Sequence, residues 1–170
     1  MGLFSSLEFN SLEELFIHQL QDLYDAEHRL TEALPKMTEA AHSPGLKQAF
    51  EHHLEETKKQ VNRLERVFEQ IDQKPKRTTC EAMKGLLEEG EEIISARGCE
   101  DVRDAALIAA AQRVEHYEMA GYGSARNFAQ RLGQHEAARL LQETLDEEGA
   151  ADKKLTQIAE STVNLQASRS

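Results

Sequence analysis

Tryptophan is absent from the 170 residues, aromatic side chains make up only 5%, and there are just three prolines and nine glycines. An antiparallel sandwich or barrel needs turn punctuation every ~10 residues, so this shortage of turn formers excludes an all-β design and favours long helices. No apolar run approaches the ~18–20 residues of a membrane-spanning helix. The amino-terminal Met-Gly-Leu-Phe-Ser-Ser lacks the apolar stretch of a signal peptide. It does match the loose N-myristoylation pattern at Gly2 and Ser6, which is short enough to arise by chance. Basic residues are scarce, 20 against 31 acidic, for a formal net charge of −11. Such a surface repels nucleic-acid phosphates and anionic membranes, so neither is an expected partner. Only two cysteines occur, Cys80 and Cys99. About sixteen helical residues between them hold them ~24 Å apart, against the ~6 Å a disulfide requires. Two reduced thiols suit a cytoplasmic protein, and the lack of any C-x-x-C removes zinc-ribbon and thioredoxin designs.

What is present is helical periodicity. The length suits one domain over 1–170, large enough to bury a core without staples. Apolar residues spaced by three and four predict long helices over about 11–41, 44–72, 102–132 and 135–159, with a shorter one over about 79–96. Ser11 is the expected N-cap of the first, and Pro35 is expected to bend it. Ser43-Pro44-Gly45 makes a turn, Asp101 is the expected cap of the third long helix, and Gly133 stops it. The tail 164–170 is polar and expected to fray. Two helices, an excursion of ~30 residues and two more helices give an all-α four-helix bundle with one long crossover, the ferritin-like connectivity. The excursion helix has an apolar face of its own, with Met83, Leu86, Leu87, Ile93 and Ile94. That face must cover the bundle's side or a partner subunit.

Each long stripe is interrupted by a carboxylate near mid-span. The first reads Leu20, Leu23, Glu27, Leu30, Leu34; the second Leu46, Ala49, His53, Glu56, Gln60, Leu64. The third reads Leu107, Ala111, Glu115, Glu118, Tyr122, Ala125, and the fourth Leu141, Thr144 or Leu145, Glu148, Leu155. Alone, each is ordinary: helical proteins are rich in Glu, and a lone inward His usually satisfies a core hydrogen bond. Four helices with the same interruption are another matter, because an unpaired buried carboxylate costs several kcal/mol. His53 is the one cation candidate on the inward positions; Lys58, Lys59, Arg113, Lys153 and Lys154 lie on the flanks. Two divalent ions would set four positive charges against the five negative ones of Glu27, Glu56, Glu115, Glu118 and Glu148. Oxygen-rich ligation with one imidazole suits iron or manganese better than zinc or copper. Tyr24 and Tyr122 sit a turn away, either to hydrogen-bond a ligand or to pack. His28 points away, His52 and His116 lie one step off the stripe, and Glu143 and Glu147 read as outer-surface residues.

At these residues the chain resembles the YciE/YciF-type ferritin-like stress proteins of bacteria, over about residues 12–164. The resemblance is carried by His53-Leu-Glu-Glu-Thr-Lys-Lys-Gln60, Val102-Arg-Asp-Ala-Ala-Leu-Ile-Ala-Ala-Ala-Gln112, Val114-Glu-His-Tyr-Glu118 and Glu143-Thr-Leu-Asp-Glu-Glu148. More distantly it is similar to rubrerythrin and other di-iron carboxylate proteins, in which Glu and Glu-x-x-His hold the metals. The resemblance implies ligand roles for Glu27, Glu56, Glu115, Glu118 and Glu148. Both Glu-x-x-His motifs are broken, by Lys59 after Glu56 and Ala151 after Glu148. His53, one turn before Glu56, is the candidate replacement, with Gln60 and Asp152 as further ones. The resemblance implies a cytoplasmic stress protein holding two metal ions, iron first and manganese second, that meets dioxygen or peroxide. Its rival is a non-catalytic bundle with a structural metal or a metal-free polar core. A mineral-storing cage is weaker, for want of a fifth helix or assembly loops, and a homodimer is the expected assembly.

Overall fold

The computed structural model describes residues 7–170, so Gly2 and Ser6 of the lipidation pattern lie outside it. Four long helices, α1 (Leu12–Ala40), α2 (Pro44–Gln70), α4 (Glu100–Arg131) and α5 (His135–Ile158), account for most of the chain, and α3 (Glu81–Ile94) lies in the connection between α2 and α4. No strand occurs among the described residues.

Local chemistry sets the boundaries. Ser11 Oγ accepts the Glu14 N–H at 3.1 Å, and Glu13 and Glu14 place negative charge at the positive end of the helix dipole. Pro35 does not end α1, because Leu34 and Met37 are buried on either side of it and keep the last turns packed. At the α1–α2 turn the Asp104 carboxylate accepts the N–H groups of His42 at 2.8 Å and Ser43 at 2.6 Å. Helix α4 starts two residues earlier than Asp101 predicts, with Cys99 as the cap and both Glu100 and Asp101 in the first turn. It stops where Gly133 takes φ +72°, a left-handed conformation open to glycine without strain.

The apolar core forms two clusters. One joins the C-terminal half of α1 (Leu30, Leu34, Met37) to the N-terminal halves of α2 and α4 (Phe50, Leu107) and the C-terminal end of α5 (Leu155). The other joins Phe16 and Leu20 of α1 to Leu64 and Phe68 of α2, Ala125 of α4 and Leu141 of α5. These memberships fix the directions: α1 runs antiparallel to α2 and α4, α5 runs antiparallel to both as well, and α2 and α4 are parallel. Two parallel helices joined in sequence need a connection that returns the full length of the bundle, and residues 71–99 supply it. Helix α3 on that return packs on α1 and α4, with Met83 fully buried, so its apolar face covers the bundle's side.

Beyond Ile158 the chain continues through a π-turn at Ala159–Val163 into α6 (Asn164–Ala167), which packs on α4. The segment expected to fray is helical as far as Ala167, and Val163 just before it, at 1% exposure, is anchored in the core.

Candidate metal centre

A polar layer lies between the two apolar clusters. Glu27 of α1, His53, Thr57 and Gln60 of α2, Glu115 and Glu118 of α4, and Thr144 and Glu148 of α5 are all buried there. Each comes from mid-helix, so the antiparallel packing brings the four interruptions to one level.

His53, Glu115, Glu118 and Glu148 each place one ligand atom within 4.8 Å of all the others. His53 Nε2 lies 3.3 Å from Glu115 Oε1 and 3.9 Å from Glu148 Oε2. Glu27 is fully buried beside them and accepts a short hydrogen bond from the Tyr122 hydroxyl through Oε1. Glu56 stands apart. Around α2 it is rotated by about 60° from His53, which takes it off the inward line of His53, Thr57 and Gln60. Its side chain is 22% exposed, with Oε2 at 3.2 Å from His52 Nδ1 and 3.9 Å from His53 Nδ1.

Burial governs the protonation of this group. It drives Glu27, Glu118 and Glu148 well above the usual carboxylate range, and mutual repulsion among the carboxylates adds to the effect. Glu115 is pushed up to about 8 by the same desolvation, with the charge of Glu27 adding. His53 moves against its burial: desolvation disfavours the imidazolium, but Glu56, Glu148 and Glu27 outweigh it and raise its pKa. Glu56 is lowered, first by His53.

The donors are left unsatisfied. Both oxygens of Glu118 and of Glu148, one each of Glu27 and Glu115, both nitrogens of His53 and the carbonyl oxygen of Gln60 have no hydrogen-bond partner. Orphaned buried carboxylate oxygens beside an imidazole with no hydrogen bond are the donor set of a hard divalent cation. It is the one group of this kind among the described residues.

Other candidates fall elsewhere. Asp152 accepts from Gln112 at 3.0 Å and lies 3.3 Å from the exposed His116, outside the buried group. Tyr24 donates to Glu65 at 2.8 Å and packs edge-on against His28. Glu147 is no free surface residue: Arg63 grips it with two bonds of 2.7 and 2.8 Å, and Gln60 Nε2 donates to it at 3.0 Å. This grip turns the Gln60 amide nitrogen outward and leaves its carbonyl oxygen buried. Arg63 lies seven residues beyond Glu56 and so shares its helix face, a signal the flanking-charge reading passed over.

Comparison with known proteins agrees with this architecture. Residues 11–168 match the family described as Domain of unknown function (DUF892). The chain belongs to DUF892. Within it, the chain is 49% identical over 162 residues to Protein YciF of Escherichia coli K12, covering 95% of this chain and 98% of that protein. The solved structure of the E. coli stress protein YciF superposes with a TM-score of 0.89 at 50% identity, over 92% of this chain and 99% of that one. A Rhodopseudomonas palustris relative, YcfI, described as a putative structural protein, superposes with a TM-score of 0.88 at 44% identity over 92% and 99% of the two chains. Both match the all-helical DUF892 bundle.

Proposed function

We propose that this DUF892 protein is a ferritin-like, non-haem di-metal protein of stress defence, binding two ions in the polar layer, with iron the first choice and manganese the alternative. The observation that carries the reading is the set of six orphaned carboxylate oxygens around His53. Several kcal/mol of desolvation per carboxylate needs a compensating cation, and no Lys or Arg side chain bonds to Glu115, Glu118 or Glu148. His53, Glu115, Glu118 and Glu148 are the inner ligands. Glu27, steadied by Tyr122, and Glu56, at the solvent side, complete the set.

Redox-active ions held by His53, Glu115, Glu118 and Glu148 would supply the electrons for reducing dioxygen or peroxide, so that the oxidant would be consumed or ferrous iron withdrawn from Fenton chemistry. The chain's own residues prepare that chemistry. Carboxylates supply hard negative charge that favours the higher oxidation state. Their raised proton affinity makes metal binding release protons. The apolar clusters above and below exclude water from the two ends of the layer. We place the protein in the cytoplasm as a homodimer; no described helix is long and apolar enough to cross a membrane.

A second reading has its own observation. Carboxyls whose pKa burial has raised hold protons at moderate pH, which lets the layer persist as a metal-free polar core of a structural bundle. The name given to the R. palustris relative points the same way. Anaerobic ferrous loading followed by dioxygen or hydrogen peroxide separates the two. Consumption of the oxidant, lost in Glu115→Ala and Glu148→Ala, supports the di-metal reading; metal binding without consumption leaves the structural one.

A further inference from the structure

A cleft of about 480 Å³ between α2 and α5 reaches the candidate metal centre. Its inner end is His53, Glu56 and Glu115; its walls are Ala49 and Phe50 of α2 and Ala150, Ala151, Leu155 and Ile158 of α5. A water molecule occupies ~30 Å³, and pockets for small organic molecules run to roughly 300–1,000 Å³. Dioxygen and hydrogen peroxide need no such space, and a purely ionic route needs no such walls.

The approach between the walls is open where Gly45, Ala49, Ala150 and Ala151 line it. Ala151 lies one turn beyond Glu148 on α5, where any longer side chain fills the approach, and Gly45 and Ala49 face it from α2. The charge is graded along the cleft. Carboxylates occupy the inner end, while Lys154 and His52 stand exposed at the rim. An anionic head group pushed inward meets the Glu56 carboxylate, which His53 keeps ionised; a neutral hydroxyl or hydroperoxyl head can both donate to that carboxylate and accept from His53.

We infer that this cleft binds a small neutral aliphatic molecule, an alcohol or alkyl hydroperoxide, with its oxygen head at His53, Glu56 and Glu115 and its chain along the alanine-lined walls. The inference rests on the di-metal reading for the use of such a molecule, but not for its binding. Two sites of different chemistry thus meet at His53: the buried carboxylates for the ions, and the α2–α5 cleft for an organic body.

Methyl-resolved NMR titration with 1-hexanol, and separately with hexanoate, tests it on metal-free and iron- or manganese-loaded protein. Saturable shifts confined to Ala49, Ala150, Ala151, Leu155 and Ile158 are expected with hexanol. Hexanoate is expected to bind the metal-free protein at least about tenfold more weakly. Ala151→Phe, or Ala49→Leu on the opposite wall, should weaken hexanol by about tenfold or more while metal content stays at the wild-type level. Absence of saturable shifts in the wild type overturns the inference, as does unchanged binding in both filled variants. Loss of metal binding with hexanol shifts intact sinks the di-metal reading and leaves the cleft; metal bound without hexanol shifts does the reverse.

Discussion

Glu115 illustrates what each buried carboxylate does to the metal-free chain. Its folded pKa is raised from 4.5 to about 8, first by burial. The folded state therefore holds the proton more tightly than the unfolded chain, and the associated stability is full below about pH 4.5 and lost as pH rises through about 8. Glu115→Gln keeps the shape without the charge. Its metal-free stability should match the wild type in acid, gain on it from about pH 4.5, and level off above about 8, as read by urea denaturation across pH. A constant difference at all pH values would refute the assignment. Glu148→Ala and Glu118→Ala should lose metal uptake with helix content retained by circular dichroism, whereas His53→Ala should weaken one ion more than the other. Much of this centre was legible in the residues, because Glu27, His53, Glu115, Glu118 and Glu148 each break an apolar stripe at mid-helix. The exceptions have geometric causes. Spacing by three let Glu56 pass as inward, although about 60° of rotation takes it to the solvent-facing edge of the centre, where the cleft ends. The Arg63–Glu147–Gln60 link spans α2 and α5, and no single-helix period reports a side-chain contact between helices.

Elements meet at positions whose size or charge matters more than their helix propensity. Gly121 of α4 faces α1 so closely that an added Cβ would lie 2.8 Å from Leu23 Cδ2. Leu23 is fully buried, so its side chain must shift within the packed core to admit the methyl group. Gly121→Ala should therefore destabilise by ~1–2 kcal/mol despite the better helix former. Gly85 in α3 has nothing within 4 Å, so Gly85→Ala should stabilise by ~0.5–1 kcal/mol; thermal or chemical unfolding reads both. Asp25 ties the crossover to α1, accepting from Arg77 at 2.9 Å and the Cys80 N–H at 2.9 Å as well as pairing with Arg29. Burial works against its ionisation, but these donors outweigh it and hold its pKa below the ordinary value. Its contribution is present above that ordinary value and lost as pH falls towards the folded one. Asp25→Asn should cost ~2–4 kcal/mol at neutral pH and less in acid. Helix α3 was legible from its own apolar face, but not this anchor, since a buried Asp looks like any polar residue until its partners 52 and 55 positions away are placed. The helical tail escaped notice for a similar reason: one buried Val163 holds it, too few apolar residues to make a period.

At the scale of the whole molecule, the bundle is two apolar blocks separated by a charged layer, and the layer is the weak plane of the fold unless a cation fills it. Ligands that bind only the folded state stabilise by mass action, about 2.7 kcal/mol at a hundredfold excess over Kd. Ferrous or manganous ions should raise the unfolding midpoint of the wild type by that order, and should leave Glu148→Ala unmoved. The order of helices and the crossover were readable from periodicity and loop length, because each helix buries one stripe. The short loops also gave the antiparallel pairs α1–α2 and α4–α5; how the two pairs face each other was not readable, since that depends on the two clusters that form only when all four pack. The most direct measurement is metal content per chain, by elemental analysis of protein from iron- and manganese-replete cells beside Glu148→Ala prepared identically. About two ions per wild-type chain, falling to none in the variant, is the predicted result. A folded wild type that carries no metal, or a variant that carries as much as the wild type, would contradict a metal centre in the polar layer.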